Sequence, residues 1–189
     1  MTMRLASPDD LETIATLTAA AYRPYTELFG APPIPVTEDY APRIDRGEVW
    51  LRDIGGETAG LVVAEQHSDY LMLFSIAVSP TFQCAGHGLS MLRWLEGKAR
   101  EWDIPEIRLY TNARMERNIA LYRAFGFQET GRRPSRYRPG WTLINMTKEI
   151  HAAWRPRTRR TTWRNPALSA PASAAGPSSP GAGISFPPT

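Results

Sequence analysis

Residues 69–78 read D-Y-L-M-L-F-S-I-A-V, a stretch that is nearly all apolar. It lacks the polar alternation of a strand with one wet face, so it predicts a strand near the middle of a sheet, covered on both sides. A segment of small residues comes next, and then an amphipathic stretch predicts a helix from about Gly86 to Asp103, with Leu92, Leu95, Ala99 and Trp102 facing a core. A covered strand that feeds a helix commits the chain to layers of helix on sheet.

The flanking sequence extends this pattern. A short strand at Met3–Leu5 runs into Ser7-Pro8-Asp9-Asp10, a helix start with a serine cap, a proline in the first turn and acids at the positive end of the dipole. Leu11, Ile14, Ala15, Thr18 and Tyr22 come at helical spacing and predict a core-facing stripe. Prolines at 24, 32, 33, 35 and 42 then argue against a long uninterrupted helix, although a short one around Glu38–Arg46 is expected. Glu48–Arg52 and Ala59–Gln66 read as a hairpin turning at Ile54-Gly55-Gly56. Beyond the Gly86 helix, Glu106–Thr111 predicts a strand and Arg117–Phe125 a shorter helix ending at Gly126. Strands near Phe127–Arg132 and Trp141–Ile150 complete the order. A helix between two strands favours a crossover and the early hairpin favours antiparallel pairing. The expectation is therefore an α/β (α+β) fold with a mixed, mostly antiparallel sheet of about six to seven strands and helices on both faces.

Composition sets the C-terminal segment apart from this region. Residues 152–189 carry five arginines and no acid, together with seven of the 17 prolines, and the second half is almost wholly Pro, Ala, Ser and Gly. Such a segment buries too little apolar surface to offset chain entropy, and a disordered tail from 151 to 189 is expected after one domain at 1–150. Without the tail's arginines the chain has 17 basic against 19 acidic residues, so the pI of 9.2 belongs to the tail. The folded part gives no global case for nucleic acid as a partner. The interleaved arginines and tryptophans of WRPRTRRTTWR are read as a solvated appendix ahead of an anionic-surface contact. One cysteine excludes a disulfide framework and a cysteine-built zinc site, and no metal is expected. No apolar run approaches the roughly 20 residues of a membrane span. The start MTMRLASPDD lacks a charged region leading into an apolar one, as a signal peptide requires. A cytoplasmic protein, monomer or homodimer, is the expectation.

The chemistry is concentrated at Val78–Ser90, V-S-P-T-F-Q-C-A-G-H-G-L-S. Gly86 and Gly88 let the backbone approach a ligand, and the first helical turn offers N–H groups with no intrahelical acceptor, which suits a diphosphate. The segment has neither GxxxxGK[ST] nor GxGxxG, so two commoner phosphate loops are excluded.

What remains, Gln83-Cys84-Ala85-Gly86-His87-Gly88, resembles the [Q/R]-x-x-G-x-[G/A] loop of the GNAT superfamily of acyl-CoA-dependent N-acyltransferases. A second block supports it: Asn112 through Phe127 contains Asn118 just before Ala120-Leu121-Tyr122 and ends in Gly126-Phe127, similar to the superfamily's N-x-x-A-x-x-L-Y-x-x-x-G-F. Ala21-Tyr22-Arg23-Pro24-Tyr25 with Asp39-Tyr40 looks like one bacterial branch of uncharacterised members. The likeness spans about residues 3–150.

The resemblance implies acetyl-CoA as co-substrate and direct, sequential transfer of an acetyl group to a primary amine of a small molecule or peptide. Backbone groups of Ile76, Ala77 and Val78 would pair with the pantetheine arm like an added strand. The N–H groups of Gln83, Cys84, Ala85, Gly86, His87 and Gly88, continuing into Leu89 and Ser90, would hold the diphosphate, with Asn112 and Asn118 flanking the co-substrate. Tyr122 would protonate the leaving thiolate, a reading preferred to simple packing of its ring in the core. Cys84 reads as a small loop residue rather than a nucleophile, since direct transfer needs no acyl-enzyme. Relatives often carry a glutamate where this chain has Phe74-Ser75, which leaves the base unassigned. The amine's proton would leave through water and backbone groups, or Glu27 would take it. His67 and Glu65 carry less weight. Acceptor specificity is expected in the Pro-rich connection and in the loop Arg133–Gly140. Tyr22, Tyr25, Phe29 and Tyr40 either line an apolar slot or are core residues of the first two helices, Tyr22 rather the latter. Arg132, Arg133, Arg136 and Arg138 either receive an anion or form a solvated turn. The rival reading is a non-catalytic acyl-CoA-binding sensor or interaction module, motivated by the missing glutamate and the unusual C-terminus.

Overall fold

The computed structural model describes residues 2–136 and 138–150; the expected tail and its boundary at 151 lie outside the described residues. The strands are β1 Arg4–Leu5, β2 Val49–Ile54, β3 Glu57–Gln66, β4 Leu71–Val78, β5 Glu106–Asn112, β6 Gln128–Pro134 and β7 Thr142–Glu149. All seven form one sheet in the order β1-β2-β3-β4-β5-β7-β6. Only β4 and β5 run parallel, joined by a crossover helix, and every other neighbour is antiparallel. The apolar strand β4 is the middle one, as its composition predicts. The hairpin between β2 and β3 turns at Gly55 and Gly56, both at positive φ (60° and 86°), a conformation glycine adopts without strain.

Helices cover both faces. α1 is Leu11–Phe29, α2 Ile34–Thr37, α3 Ala41–Asp45, α4 His87–Glu101 (the crossover) and α5 Glu116–Ala124. Leu92 and Leu95 of α4 and Ile119 and Tyr122 of α5 share a core with Val62, Leu71 and Leu73, while Ile14 and Leu17 of α1 and Ile44 of α3 pack with Leu61, Val63 and Ala77. Adjacent residues of β3 thus feed opposite cores, as the pleat demands.

Strand β4 changes face along its length. Leu73 pairs with Ala64 and Ser75 with Val63, so Phe74 is an extra residue, a β-bulge. One added residue reverses the alternation: Leu71 and Leu73 pack under α4, whereas Ser75 and Ala77 turn towards α1. Phe74 is held from beneath by the Arg43 guanidinium, 3.7 Å from its ring centroid. Arg43 is itself buried and donates to Glu38 (2.6 Å), Glu48 (2.9 Å) and Glu65 (2.8 Å), which ties α3 to β2 and β3.

Several expectations are corrected. The prolines do not interrupt the first helix, which continues through Pro24 to Phe29. Ala20 and Pro24 both lie on its exposed side, where water can serve the carbonyl that Pro24 leaves unbonded. The apolar face meanwhile continues through Tyr22, Tyr25 and Phe29, whose rings lie 6.3 and 6.1 Å apart in sequence. Gly30, at φ 67°, ends the helix. Ala15 is exposed and Leu17 takes its place in the core, Trp102 is only half-buried, and the short helix expected at Glu38–Arg46 begins at Ala41.

Gly60 of β3 shows how closely α4 packs. A Cβ there would lie 2.8 Å from the Ala77 carbonyl oxygen and 2.9 Å from Cε of Met91. Gly60→Ala should therefore destabilise the fold by about 1–3 kcal/mol, read as a lower urea midpoint with an unchanged slope. Among the described residues, no helix is long and apolar enough to cross a membrane.

Candidate active site

The parallel pairing of β4 with β5 covers only Leu71↔Ile107, Met72↔Arg108 and Leu73↔Leu109. Past the Phe74 bulge, β4 stays with β3 as far as Val78↔Gly60, and β5 stays with β7 as far as Asn112↔Leu143. The two central strands therefore separate, and their facing edges keep backbone donors and acceptors unused by the sheet. The cleft so formed opens to solvent and, counted together with the solvent at its mouth, spans about 660 Å³. Ser75, Tyr110, Asn112 and Tyr122 line its inner part, Ile34 and Pro35 close it from α2, and Arg138 and Trp141 close it from the β6–β7 connection.

At the C-terminal end of β4 the chain makes a turn at Pro80–Phe82 and enters α4. The Gln83 side chain donates to the Val78 carbonyl (3.1 Å) and fastens the loop to the strand. Cys84 and Gly86 are left-handed, φ 64° and 76°, and nothing lies within 4 Å of a Cβ built on Gly86. The Gln83 N–H bonds Pro80 O (3.3 Å) and the Ser90 N–H bonds Gly86 O (3.0 Å), so these two amides, expected among the diphosphate donors, already have acceptors. Those of Cys84, Ala85, Gly86, His87, Gly88 and Leu89 find no main-chain acceptor among the described residues, which narrows the expected set to the loop tip and first turn. The Ser90 hydroxyl donates to His87 O (3.0 Å) and receives Arg52. Cys84 is exposed and is not part of the cleft wall, and His87 is half-buried with its ring edge on Phe82.

Inside the cleft, Tyr122 is 7% exposed. Burial, and after it the neighbouring Tyr22 and Tyr25, pushes its phenol well above the ordinary value, so the hydroxyl is protonated throughout the neutral range. Its hydroxyl makes no hydrogen bond to another side chain among the described residues. The Asn112 side chain, 5% exposed, accepts from the Arg114 N–H (2.9 Å), but its Nδ2 is buried with no acceptor. Asn118 accepts from the Tyr25 hydroxyl (2.9 Å), and Tyr22 and Ser75 share a hydrogen bond of 3.1 Å. Tyr22 is thus both a core residue and part of the cleft.

The base candidates are not brought together with these groups. Glu27 is exposed beside Arg23 (3.8 Å), Glu65 is taken up by Arg43, and His67 lies 3.6 Å from Glu65 and stacks on Tyr70. None is among the described residues that line the cleft, and those carry no carboxylate and no imidazole. Ser75, Tyr110 and Trp141 were not singled out by sequence reasoning as site residues; the one signal was the isolated polar Ser75 in an apolar strand. Among the described residues no group of three or more His, Cys, Asp or Glu could hold a metal ion.

A sheet opened at its centre beside a helix start with unbonded amides defines the architecture of a coenzyme A-dependent acetyltransferase. The chain is similar to the ribosomal-protein-S18-alanine N-acetyltransferase from Escherichia coli, 23% identical over 84% of this chain and 99% of that one, with a TM-score of 0.65. It is also similar to the PaiA N-acetyltransferase from Thermoplasma acidophilum in complex with coenzyme A (15% identical, 76% and 96% covered, TM-score 0.64). A third is yncA from Salmonella typhimurium, solved with its cofactor acetyl-CoA (20% identical, 84% and 99% covered, TM-score 0.61). No curated protein sequence matches the chain. The model of the acetyltransferase (GNAT) family matches residues 14–127, and the chain belongs to that family. Acetyl-CoA is the family's co-substrate, and the unbonded amides at the start of α4, the free edge of β4 and the orphaned Asn112 Nδ2 give this chain a donor set that fits it.

Proposed function

We propose that this protein transfers an acetyl group from acetyl-CoA directly to a primary amine of a small molecule or peptide. The observation that carries this reading is the run of unbonded N–H groups from Cys84 to Leu89 at the mouth of the parted strands, with the protonated Tyr122 inside. Those amides would hold the diphosphate, where the helix dipole favours negative charge. The free edge at Ile76, Ala77 and Val78 would hydrogen-bond the amides of the pantetheine arm, and Asn112 Nδ2 supplies a buried donor with Asn118 close by. Bound acetyl-CoA supplies an activated thioester.

The chain's own residues then position and protonate. Tyr122 donates a proton to the departing sulfur, a match between a phenol and a thiolate. No side chain on the cleft wall can act as a strong base, so the amine binds after losing its extra proton to water, and the Ser75–Tyr22 hydroxyl pair accepts the hydrogen bond that orients it. Holding donor and amine together provides much of the rate gain. Direct transfer needs no acyl-enzyme, and the exposed Cys84 stands outside the cleft wall, which supports that reading.

Acetyl-CoA should raise the melting temperature by linkage, about 2.7 kcal/mol of added stability at a hundred times Kd. Free thiol should then appear only when a suitable amine is added. Absence of a shift at millimolar acetyl-CoA removes the reading. The missing base favours one alternative, a non-catalytic acyl-CoA sensor, which predicts the thermal shift without thiol release for any amine.

A further inference from the structure

We propose that the acceptor is a small amine bearing its own carboxylate, an apolar amino acid or close analogue, and that Arg138 receives that carboxylate. The inference rests on the transfer reading above and specifies its second substrate. Four arginines surround the last hairpin, and the structure separates them. Arg132 donates to Glu129 (2.6 Å), Arg133 donates to Asn145 (3.3 Å) and lies over the Tyr110 ring, and Arg136 is exposed and away from the cleft wall. Arg138 alone of the four lines the cleft.

Among the described residues its charge has no counterpart. Arg138 Nη2 donates to the Pro32 carbonyl (3.1 Å) and the guanidinium lies 5.7 Å from the Trp141 ring, but no carboxylate among the described residues is within ion-pair distance. A half-buried guanidinium with spare donors in a fixed fork is suited to a carboxylate. The cleft wall has no acid, so an acceptor with a second ammonium would set like charge against Arg138 without compensation. Beside Arg138 and Ser135 the outer wall is apolar: Ile34, Phe74, Trp141 and Leu143 surround the space an acceptor's side chain would fill.

Size points the same way. The Arg138–Pro32 bond and the Phe29–Trp141 contact (ring centroids 4.6 Å) tie the β6–β7 connection to the α1–α2 connection and form a roof. A roofed cleft suits a compact molecule held at both ends better than an extended peptide. In the step itself, the neutral amine nitrogen forms a C–N bond to the acetyl carbonyl carbon as the C–S bond breaks. Tyr122 protonates the departing sulfur, the proton shed by the nitrogen passes through water to restore the Tyr122 phenol, and the product keeps its carboxylate and has lost its basic nitrogen.

The test compares matched sets on the full chain: leucine, leucinamide and isopentylamine, and phenylalanine, phenylalaninamide and phenethylamine. Calorimetric binding to the coenzyme A-loaded protein and thiol release with acetyl-CoA are both read. The acid should be preferred over the amide and the decarboxylated amine by about 10- to 100-fold, the scale of a hydrogen-bonded charge pair. R138Q should erase that preference and R138K should restore part of it, and the wild-type comparison decides even if R138Q folds poorly. Equal or better binding by the amide or the amine, failure of both acids to bind, or a preference that survives in R138Q overturns the inference. Acid-selective, Arg138-dependent binding without thiol release upholds it and refutes acetyl transfer. Thiol release that ignores the carboxylate upholds transfer and refutes the inference.

Discussion

Gly86→Val should abolish the thermal stabilisation that acetyl-CoA confers. Gly86 sits at φ 76° immediately before α4, a region that costs an L-residue roughly 1–2 kcal/mol and a β-branched one more. No atom lies within 4 Å of the added Cβ, so the apo protein should lose little beyond that strain. The loop would relax away from left-handed geometry, and the amides of Cys84 to Leu89 would no longer converge on one anion. Gly97→Ala is the internal control: it lies on the exposed side of α4 away from the loop, with open space around its Cβ and no positive φ to strain it. Differential scanning fluorimetry with and without acetyl-CoA measures both. A valine variant that keeps the full ligand-induced shift would place the diphosphate elsewhere.

Tyr122→Phe should lower kcat by about 10²- to 10⁴-fold, the usual weight of a general acid, with little change in the affinity for acetyl-CoA. Stability should hardly change, because the hydroxyl removed has no side-chain partner among the described residues. The pH profile supplies a second reading. Burial, and then Tyr22 and Tyr25, raises the phenol above its ordinary value of about 10, so its protonated form persists beyond that pH. Any loss of kcat between neutrality and pH 10 must come from another group, and the acid limb should follow the pKa of the amine supplied. The buried phenols of Tyr22 and Tyr40 are raised for the same primary reason, burial. Above pH 10 the unfolded chain sheds phenolic protons that the folded chain retains, so stability falls as pH rises through that range. Unaltered turnover in the phenylalanine variant would leave Tyr122 as a packing residue.

What the sequence disclosed was whatever is encoded locally. Gln83 to Gly88 and the block from Asn112 to Phe127 are contiguous, and the central place of β4 is set by its own composition. What it concealed depends on partners distant along the chain. The bulge at Phe74 exists only relative to β3, so nothing in F-S-I-A-V announces the change of face that turns Ser75 towards Tyr22. Glu65, read as a possible base, is one of three carboxylates gathered from positions 38, 48 and 65 around Arg43. Pro24 looked like a helix breaker because its neighbours' exposure cannot be seen in one dimension. Arg138 was indistinguishable from Arg132 and Arg133 until their acceptors were located.

The parting of β4 from β5 has an evolutionary corollary. On the proposed reading, the donor is gripped chiefly by peptide groups, at the exposed edge of one strand and the tip of one loop, and point substitution cannot rewrite a peptide group. The amine is met by side chains, and those of Arg138 and Trp141 stand on a surface connection that can change one residue at a time without disturbing the sheet. Such a division lets descendants trade one nucleophile for another while inheriting the same acyl currency, in keeping with a shared scaffold at only 15–23% identity.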